Sequence, residues 1–143
     1  MVNQVETHPF NQQKEANTWM KKYDVQMEAW APFGEGRGDM FTNSVLAKIA
    51  DKYHKSIAQV ILRWHIQKEV VVIPKSTHIE RMRENLNVFD FVLSKEDMDM
   101  VAALDKKESV FFSHYDPAMV EWFVQMVEER KAQHDSSKET NRF

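Results

Sequence analysis

The sequence predicts an α/β domain in which three strand–helix units build a parallel sheet. Three short apolar runs have the β-branched or alternating pattern of strands, and they lie at 1–6, 25–31 and 70–73. Each run is followed by one or more segments with helical apolar spacing, and no Asn-Gly or Gly-Gly hairpin turn joins two runs. Because parallel strands need a crossover between them, this order favours helices packed against a parallel sheet.

The first unit consists of the strand 1–6 and a helix over 12–23. Asn11 is the expected N-cap, since its short side chain can accept hydrogen bonds from the first N–H groups of a helix. Apolar residues at helical spacing form the stripe expected to face the sheet: Ala16, Trp19, Met20 and Tyr23.

The second strand, 25–31, alternates so that Trp30 and two polar residues lie on one side. We expect that side to face the interior of a closed sheet or a ligand. The strand runs into the segment 32–38, which contains all three glycines of the protein. Because glycine permits positive φ and close backbone approach, this segment is either a loop that closes over a ligand or a mobile surface loop. Asn43 or Ser44 then opens one helix, and Ser56 caps a second.

The third strand consists of four β-branched residues, Val70 to Ile73, which predicts burial on both faces of the sheet. Pro74 ends it, because proline has no N–H to donate. After the polar turn 75–77, a helix begins at His78 with one apolar stripe. The stripe contains Ile79, Met82 and Leu86.

The junction between this strand and its helix has the composition of an anion site. The N-terminus of a helix presents unpaired N–H groups and a partial positive charge. Lys75 and Arg81 add cationic donors, and Ser76 and Thr77 add hydroxyl groups, so the junction could hold a phosphate. An ordinary strand-to-helix turn with solvated cations would have the same composition.

The C-terminal part is helical. Ser94 and Asp97 have capping-box spacing and open a helix to about Lys106. A loop is expected over 110–115, and Asp116-Pro117 begins the last helix. We therefore divide the chain into a domain at 1–131 and a polar, disordered tail at 132–143.

The composition excludes several functions. A net charge of −3, with both signs interspersed, gives no reason to expect nucleic acid as a partner. No apolar run is long enough to cross a membrane, and the first residues lack signal-peptide character, so we expect a cytoplasmic protein. The chain has no cysteine. Since the histidines, including His54, His65 and His114, lack paired ligand spacing, no metal site is expected.

Several segments occur together in an order and spacing that resemble the aldo-keto reductases. They are Val2-Asn3-Gln4-Val5-Glu6-Thr7-His8-Pro9, Ala29-Trp30-Ala31-Pro32-Phe33-Gly34, Ile57-Ala58-Gln59-Val60-Ile61-Leu62-Arg63-Trp64, Val72-Ile73-Pro74-Lys75-Ser76-Thr77, and the segment Arg81 to Asn85 with Val88-Phe89-Asp90-Phe91. The resemblance implies a (β/α)8 TIM barrel that reduces aldehydes and ketones with NADPH. The chain resembles only the last three βα units of that barrel and its C-terminal helices.

The resemblance also implies a role for each matched position in binding NADP(H). Gln4 corresponds to the residue that holds the nicotinamide carboxamide, and Trp30 to the aromatic ring that stacks on the nicotinamide. Pro32, Phe33 and Gly34 begin the loop that passes over the pyrophosphate.

The remaining matched positions belong to the adenosine end of the cofactor. Lys75, Ser76, Thr77 and Arg81 correspond to the site of the 2′-phosphate, and Asn85 to an adenine contact. Two cations suit a 2′-phosphate better than a free ribose, so NADPH is expected over NADH.

No motif of the family's catalytic Asp, Tyr, Lys and His is present, so no catalytic residue is assigned and His8 is expected to be structural. Because the carbonyl oxygen needs a positioned proton donor, we expect a truncated, catalytically incomplete reductase. Three strands cannot close a barrel of eight, so the outer strands should expose unpaired edges. Those edges could bind a second copy of the chain or an N-terminal barrel fragment, which makes a non-catalytic oligomerising or partner-binding fragment the alternative.

Overall fold

The computed structural model describes residues 1–113 and 115–140, with side chains described as far as residue 131. The chain divides into two compact units, Met1–Val110 and Phe111–Phe143. The elements are β1 (Val2–Glu6), α1 (Lys14–Lys22), β2 (Gln26–Trp30), α2 (Ser44–Tyr53), α3 (Ile57–Gln67), β3 (Val71–Val72), α4 (Ile79–Leu86), α5 (Lys95–Ala102) and α6 (Ala118–Thr140). A single 3-10 turn at Gly34–Gly36 follows β2.

The sheet is parallel, as predicted, with the strand order β1-β2-β3. Gln4 lies beside Glu28, and Glu28 beside Val71, so these side chains share one face of the sheet. The opposite face is covered: Met27 and Ala29 of β2 are buried together with Met20 of α1. The alternation in β2 therefore sorts its side chains into a helix-covered face and a face that carries Glu28 and Trp30.

A second and larger core lies between the helices of the same unit. It contains Phe10, Met40, Leu46, Ile49, Ala50, Val60, Ile61, Trp64, Leu93 and Val101. These residues come from α2, α3, α5 and their loops, because each helix presents one apolar stripe to the others. Helix α3 contacts α2 on one side and β3 on another.

Local capping signals predict three helix starts correctly. The Asn43 side chain accepts from Val45 N and Leu46 N, at 3.0 and 3.3 Å. Ser56 and Ser94 each form a complete capping box, with Gln59 and Asp97 respectively. These caps depend on residues within one turn, which explains why sequence reasoning finds them.

The start of α1 differs from the prediction. The N-cap is Gln13, in the left-handed region at φ 51°, and not Asn11. Asn11 is instead paired through its backbone with His8, whose carbonyl accepts from Asn11 N at 3.0 Å. Trp19 and Tyr23 are exposed and stack on each other with their centroids 6.2 Å apart, so only part of the predicted stripe faces the core.

The third strand is also less buried than predicted. Val70 is buried, but Val71 is 42% and Ile73 is 53% exposed. The prediction of burial on both faces is wrong because, within the described residues, helices cover only one side of β3. Helix α5 ends at Ala102 and not near Lys106, since Lys106 N donates to the Phe10 carbonyl at 2.8 Å and so leaves the helical path.

The second unit contains α6. Asp116 Oδ1 accepts from Ala118 N at 2.9 Å, so the predicted start of this helix is confirmed. His114, to which the sequence assigned a loop position, lies outside the described residues, as does the end of the tail from residue 141; the disordered tail over 132–143 stays a prediction. Among the described residues, every helix is too short or too polar to span a bilayer.

Candidate nucleotide-binding site

A groove of about 730 Å³ lies where β3 passes into α4. Its lining comes from the turn after Pro74, from α4, from the loop after β2 and from the start of α3. Its lining residues are Phe33, Phe41, Ser56, Ile57, Ala58, Lys75, Ser76, Thr77, His78, Arg81, Glu84 and Asn85. The groove therefore lies beyond the carboxyl end of a parallel strand, where α/β sheets place their ligands.

The turn before α4 is built by Ser76. Its Oγ accepts from His78 N at 3.1 Å and lies 3.3 Å from the His78 carbonyl, so the hydroxyl is engaged in the turn itself. His78 is the N-cap residue and makes no side-chain cap, which leaves the first-turn N–H groups of α4 without a side-chain acceptor. An anion in the groove could accept from these groups.

The cationic side chains of the groove are available. Lys75 and Arg81 are exposed, and neither takes part in an ion pair among the described residues. Arg81 is one turn before Asn85 on the same helix, so both side chains project from one side of α4. Glu84 is the acidic member of the lining and provides a carboxylate at the rim.

Two aromatic rings also line the groove. Phe33 and Phe41 have their centroids 5.8 Å apart with their planes at 49°. Between them the chain makes the glycine loop, residues 34–38, in which all three glycines have positive φ. At Gly34 a side chain is disfavoured for two reasons, because φ is 56° and a Cβ would lie only 3.3 Å from Val110 Cγ2.

The other predicted cofactor residues lie outside the groove lining. Gln4 is on the sheet face opposite the helices, where its Nε2 donates to Glu28 Oε1 at 2.7 Å. Trp30 is half-buried on the same face, beside Glu6. Pro32 and Gly34 are buried at the root of the glycine loop. The structure thus gathers six of the predicted residues in one groove and places Gln4 and Trp30 on the sheet face that carries Glu28. The six are Phe33, Lys75, Ser76, Thr77, Arg81 and Asn85.

A buried acid–histidine pair at the end of β1 was not predicted as a unit. Phe10 N donates to His8 Nδ1 at 3.2 Å, so the imidazole proton is on Nε2, which contacts Glu6 Oε1 at 2.9 Å. Burial lowers the pKa of His8 more strongly than the Glu6 carboxylate raises it. Burial also raises the pKa of Glu6, but hydrogen bonds from Ser109, Val110 and His8 outweigh that effect and hold it below its ordinary value.

Other residues of the groove and its support escaped sequence reasoning because their partners are distant in the chain. Phe41 and Ser56 join the groove from segments that the sequence shows only as a loop and a helix cap. His65 is fully buried, with Nε2 3.1 Å from the Thr7 carbonyl, and burial lowers its pKa to about 4. In the described part of the chain, no three His, Asp or Glu side chains are grouped so that they could hold a metal ion.

Comparison with known proteins identifies the family. The sequence profile of the Aldo/keto reductase family matches residues 1–106. The chain belongs to the aldo/keto reductase family. It is 52% identical over 110 residues to glyoxal reductase of Bacillus subtilis, a match that covers 77% of this chain and 39% of the relative. It is 40% identical over 106 residues to methylglyoxal reductase DkgA of Escherichia coli K12, which covers 74% of this chain and 38% of the relative.

Solved aldo-keto reductase structures share the fold. An aldo-keto reductase from a Medee basin deep-sea metagenome library superimposes with a TM-score of 0.77 at 41% identity, covering 81% of this chain and 43% of that one. A mutant of Gox0644 in complex with NADPH gives 0.75 at 39% identity, covering 79% and 41%. The three parallel βα units are thus part of a (β/α)8 barrel, and the chain spans about two fifths of the length of these relatives.

Proposed function

We propose that the groove binds the adenosine 2′-phosphate end of NADPH, and that the chain is the cofactor-binding C-terminal portion of an NADPH-dependent carbonyl reductase. The observation that carries this proposal is the meeting of Lys75, Arg81 and the uncapped N-terminus of α4 in one groove. A dianionic phosphate would neutralise both cations and accept from backbone N–H groups that have no side-chain acceptor.

In this proposal the remaining candidate residues contact different parts of the cofactor. Asn85 contacts the adenine, and Thr77 adds a hydroxyl near the phosphate. The glycine loop follows the pyrophosphate, since a backbone without side chains allows close approach. Gln4 and Trp30, which share one face of the sheet, hold the nicotinamide amide and ring.

The substrate class that we propose is small aldehydes and ketones, including dicarbonyls. The proposal is supported by relatives that carry the names glyoxal reductase and methylglyoxal reductase. NADPH, when bound, supplies a hydride to the carbonyl carbon. The carbonyl oxygen also needs a proton from a positioned acid, and the family's catalytic motifs are not found in this sequence. We therefore expect cofactor binding by this chain without carbonyl turnover.

Titration of the purified chain with NADPH, followed by tryptophan fluorescence with NADH in parallel, tests the proposal. Saturable quenching by NADPH, with weaker or no quenching by NADH, is the expected result. Equal affinity for the two nucleotides would contradict the assignment of Lys75 and Arg81 to the 2′-phosphate. Failure of both nucleotides to bind would overturn the proposal.

A second candidate function is a partner-binding fragment, because the sheet exposes apolar residues. Val2 of β1, Val71 of β3 and Ile73, which follows β3, are exposed. In the described sheet β1 and β3 are the two edges. Such edges can pair with a second copy or with the missing part of a barrel. Light scattering over a range of concentrations tests self-association, and a constant monomeric mass would contradict it. The alternative partner, an N-terminal barrel fragment, is tested by mixing the chain with such a fragment of a relative. If the two fragments assemble, we expect the mixture to oxidise NADPH when a carbonyl substrate is added.

A further inference from the structure

Val110 connects three parts of the molecule that are far apart in the chain. Its backbone N–H donates to Glu6 Oε1 at 3.0 Å. Its carbonyl accepts from Arg37 Nη1 at 3.4 Å. Its Cγ2 lies 3.3 Å from where a Cβ of Gly34 would be. One residue thus touches the end of β1 and both the first and the fourth residue of the glycine loop.

Glu6 gives this connection a fixed base. Its side chain is buried at the end of β1, and it receives the His8 Nε2 hydrogen bond at 2.9 Å on the same oxygen that binds Val110. The His8 ring is held in turn by Phe10 N. A buried carboxylate with several donors has little freedom, so the Val110 backbone is held in one position relative to the sheet.

The other end of the connection is the groove wall. Phe33 precedes the glycine loop, Phe41 follows it, and both rings line the groove. Gly34 N, Gly36 N and Arg37 N each donate to the carbonyl three residues earlier, at 2.8 to 2.9 Å. The loop is therefore a compact turn bonded to the end of β2, and its contacts with Val110 connect it in addition to the end of β1.

We propose that Glu6 is a positioning residue for the glycine loop, acting through the backbone of Val110 and the side chain of Arg37. The loop is held against the end of β1, which sets the width of the groove between Phe33 and α4. The effect on nucleotide affinity rests on the proposed function above, whereas the effect on the loop does not.

Amide hydrogen exchange without nucleotide tests the effect on the loop. Arg37→Ala and Glu6→Ala are each expected to speed exchange at Gly36 and Arg37 by about fivefold, the factor for loss of one ordinary hydrogen bond. Glu6→Gln and Arg37→Lys, which keep an acceptor and a donor respectively, should restore slow exchange. Lys48→Ala, on the exposed side of α2, is the control and should leave the loop unchanged. Circular dichroism shows whether Glu6→Ala folds, and the exposed Arg37 variants test the proposal even if it does not.

The same variants are then titrated with NADPH. A loss of affinity of about fivefold in Glu6→Ala, with Arg37 intact, supports positioning through Val110. Loop exchange that stays at the wild-type rate in Arg37→Ala, and in Glu6→Ala where it folds, would overturn the proposal. If the loop amides respond but even the wild-type chain does not bind NADPH, the proposed function fails while the role of Glu6 in holding the loop stands.

Discussion

Helices α2 and α4 are of similar length but are held very differently. Helix α2 buries Leu46, Ile49 and Ala50 in the larger core. Helix α4 buries no residue, and its apolar stripe of Ile79, Met82 and Leu86 is exposed. Apolar burial is the main source of local stability, so α2 belongs to the scaffold and α4 to a segment that opens easily.

Two of the residues that we propose bind the nucleotide, Arg81 and Asn85, are on this weakly held helix. The best-defined tether of α4 within its unit is Gln59, whose Nε2 donates to the carbonyls of Glu84 and Asn87 at 3.1 and 2.8 Å. These bonds satisfy the C-terminal end of α4, while its N-terminus lies in the groove. A ligand that bridges Lys75 and Arg81 would therefore stabilise the N-terminal end of α4, which packing does not stabilise.

The largest expected effect on stability comes from making the same leucine-to-alanine change in each of the two helices. Leu46 is fully buried, whereas Leu86 is 73% exposed. Leu46→Ala should lower the free energy of unfolding by about 2 to 5 kcal/mol, because it leaves a cavity. Leu86→Ala should change it by no more than about 0.5 kcal/mol. Urea denaturation of both variants measures the difference, and equal losses would mean that α4 is packed as well as α2.

The next effect concerns the polar anchor between α2 and α5. Asp97 accepts from Lys52 Nζ at 2.8 Å and from Tyr53 OH at 2.6 Å. Burial raises the pKa of Asp97, but hydrogen bonds from Lys52, Ser94 and Tyr53 outweigh it and hold the pKa well below its ordinary value. A carboxylate with a depressed folded-state pKa stabilises above its unfolded pKa, near 3.9, and loses that contribution as the pH falls.

Two measurements follow for Asp97. Replacement by Asn should cost about 2 kcal/mol at neutral pH, the range for charged hydrogen bonds. It should also flatten the decline in stability between about pH 5 and pH 2 relative to the parent. Thermal unfolding across that pH range tests both statements. A variant with the same acid-side slope as the parent would exclude Asp97 as a source of that slope.

Binding energy should depend on the exposed helix. Lys75→Ala and Arg81→Ala are each expected to weaken NADPH binding by about 1.5 to 3 kcal/mol, the range for loss of a charged hydrogen bond. NADH binding should be nearly unchanged, and Lys48→Ala provides a matched loss of charge away from the groove. Isothermal titration of the variants with both nucleotides measures these values. Equal losses of binding free energy for NADH and NADPH would show that the two cations do not bind the 2′-phosphate.

The smallest effect sharpens the difference in how the helices are held. Gln59→Ala removes both donors to the end of α4 and should lower the local stability of α4 by about 1 kcal/mol. The expected readout is faster amide exchange in Ile79–Leu86, with unchanged exchange in Ser44–Tyr53. Faster exchange in both helices would mean that Gln59 stabilises the whole unit.

The features that sequence reasoning predicts best depend on near neighbours. The caps at Asn43, Ser56 and Ser94 are decided within one turn, and the parallel arrangement follows from the order of apolar runs. The prediction of an N-cap at Asn11 is wrong because the backbone of that residue pairs with His8 in a tight turn. The prediction that Val71 and Ile73 are buried is wrong because burial depends on which elements cover a strand. A local sequence pattern does not contain that information.

The site divides in the same way. Lys75 to Asn85 are contiguous enough for strand and helix signals to place them at one junction. The partnership of Glu6 with Val110 spans 104 residues and leaves no local trace, since an acidic residue at a strand end and a valine in a loop are both ordinary. Contacts of that kind become visible only when the chain is folded.

Gly34 and Gly38 differ in how readily evolution could replace them with other residues. At Gly34 a side chain would meet both Val110 and Met40, at 3.3 and 3.4 Å, in a left-handed backbone. At Gly38 no atom lies within 4 Å of the position of a Cβ, so only the backbone preference at φ 65° opposes substitution, and asparagine tolerates that region. Substitution at Gly34 would therefore require Val110 and Met40 to shift, whereas a side chain at Gly38 would meet no neighbouring atom.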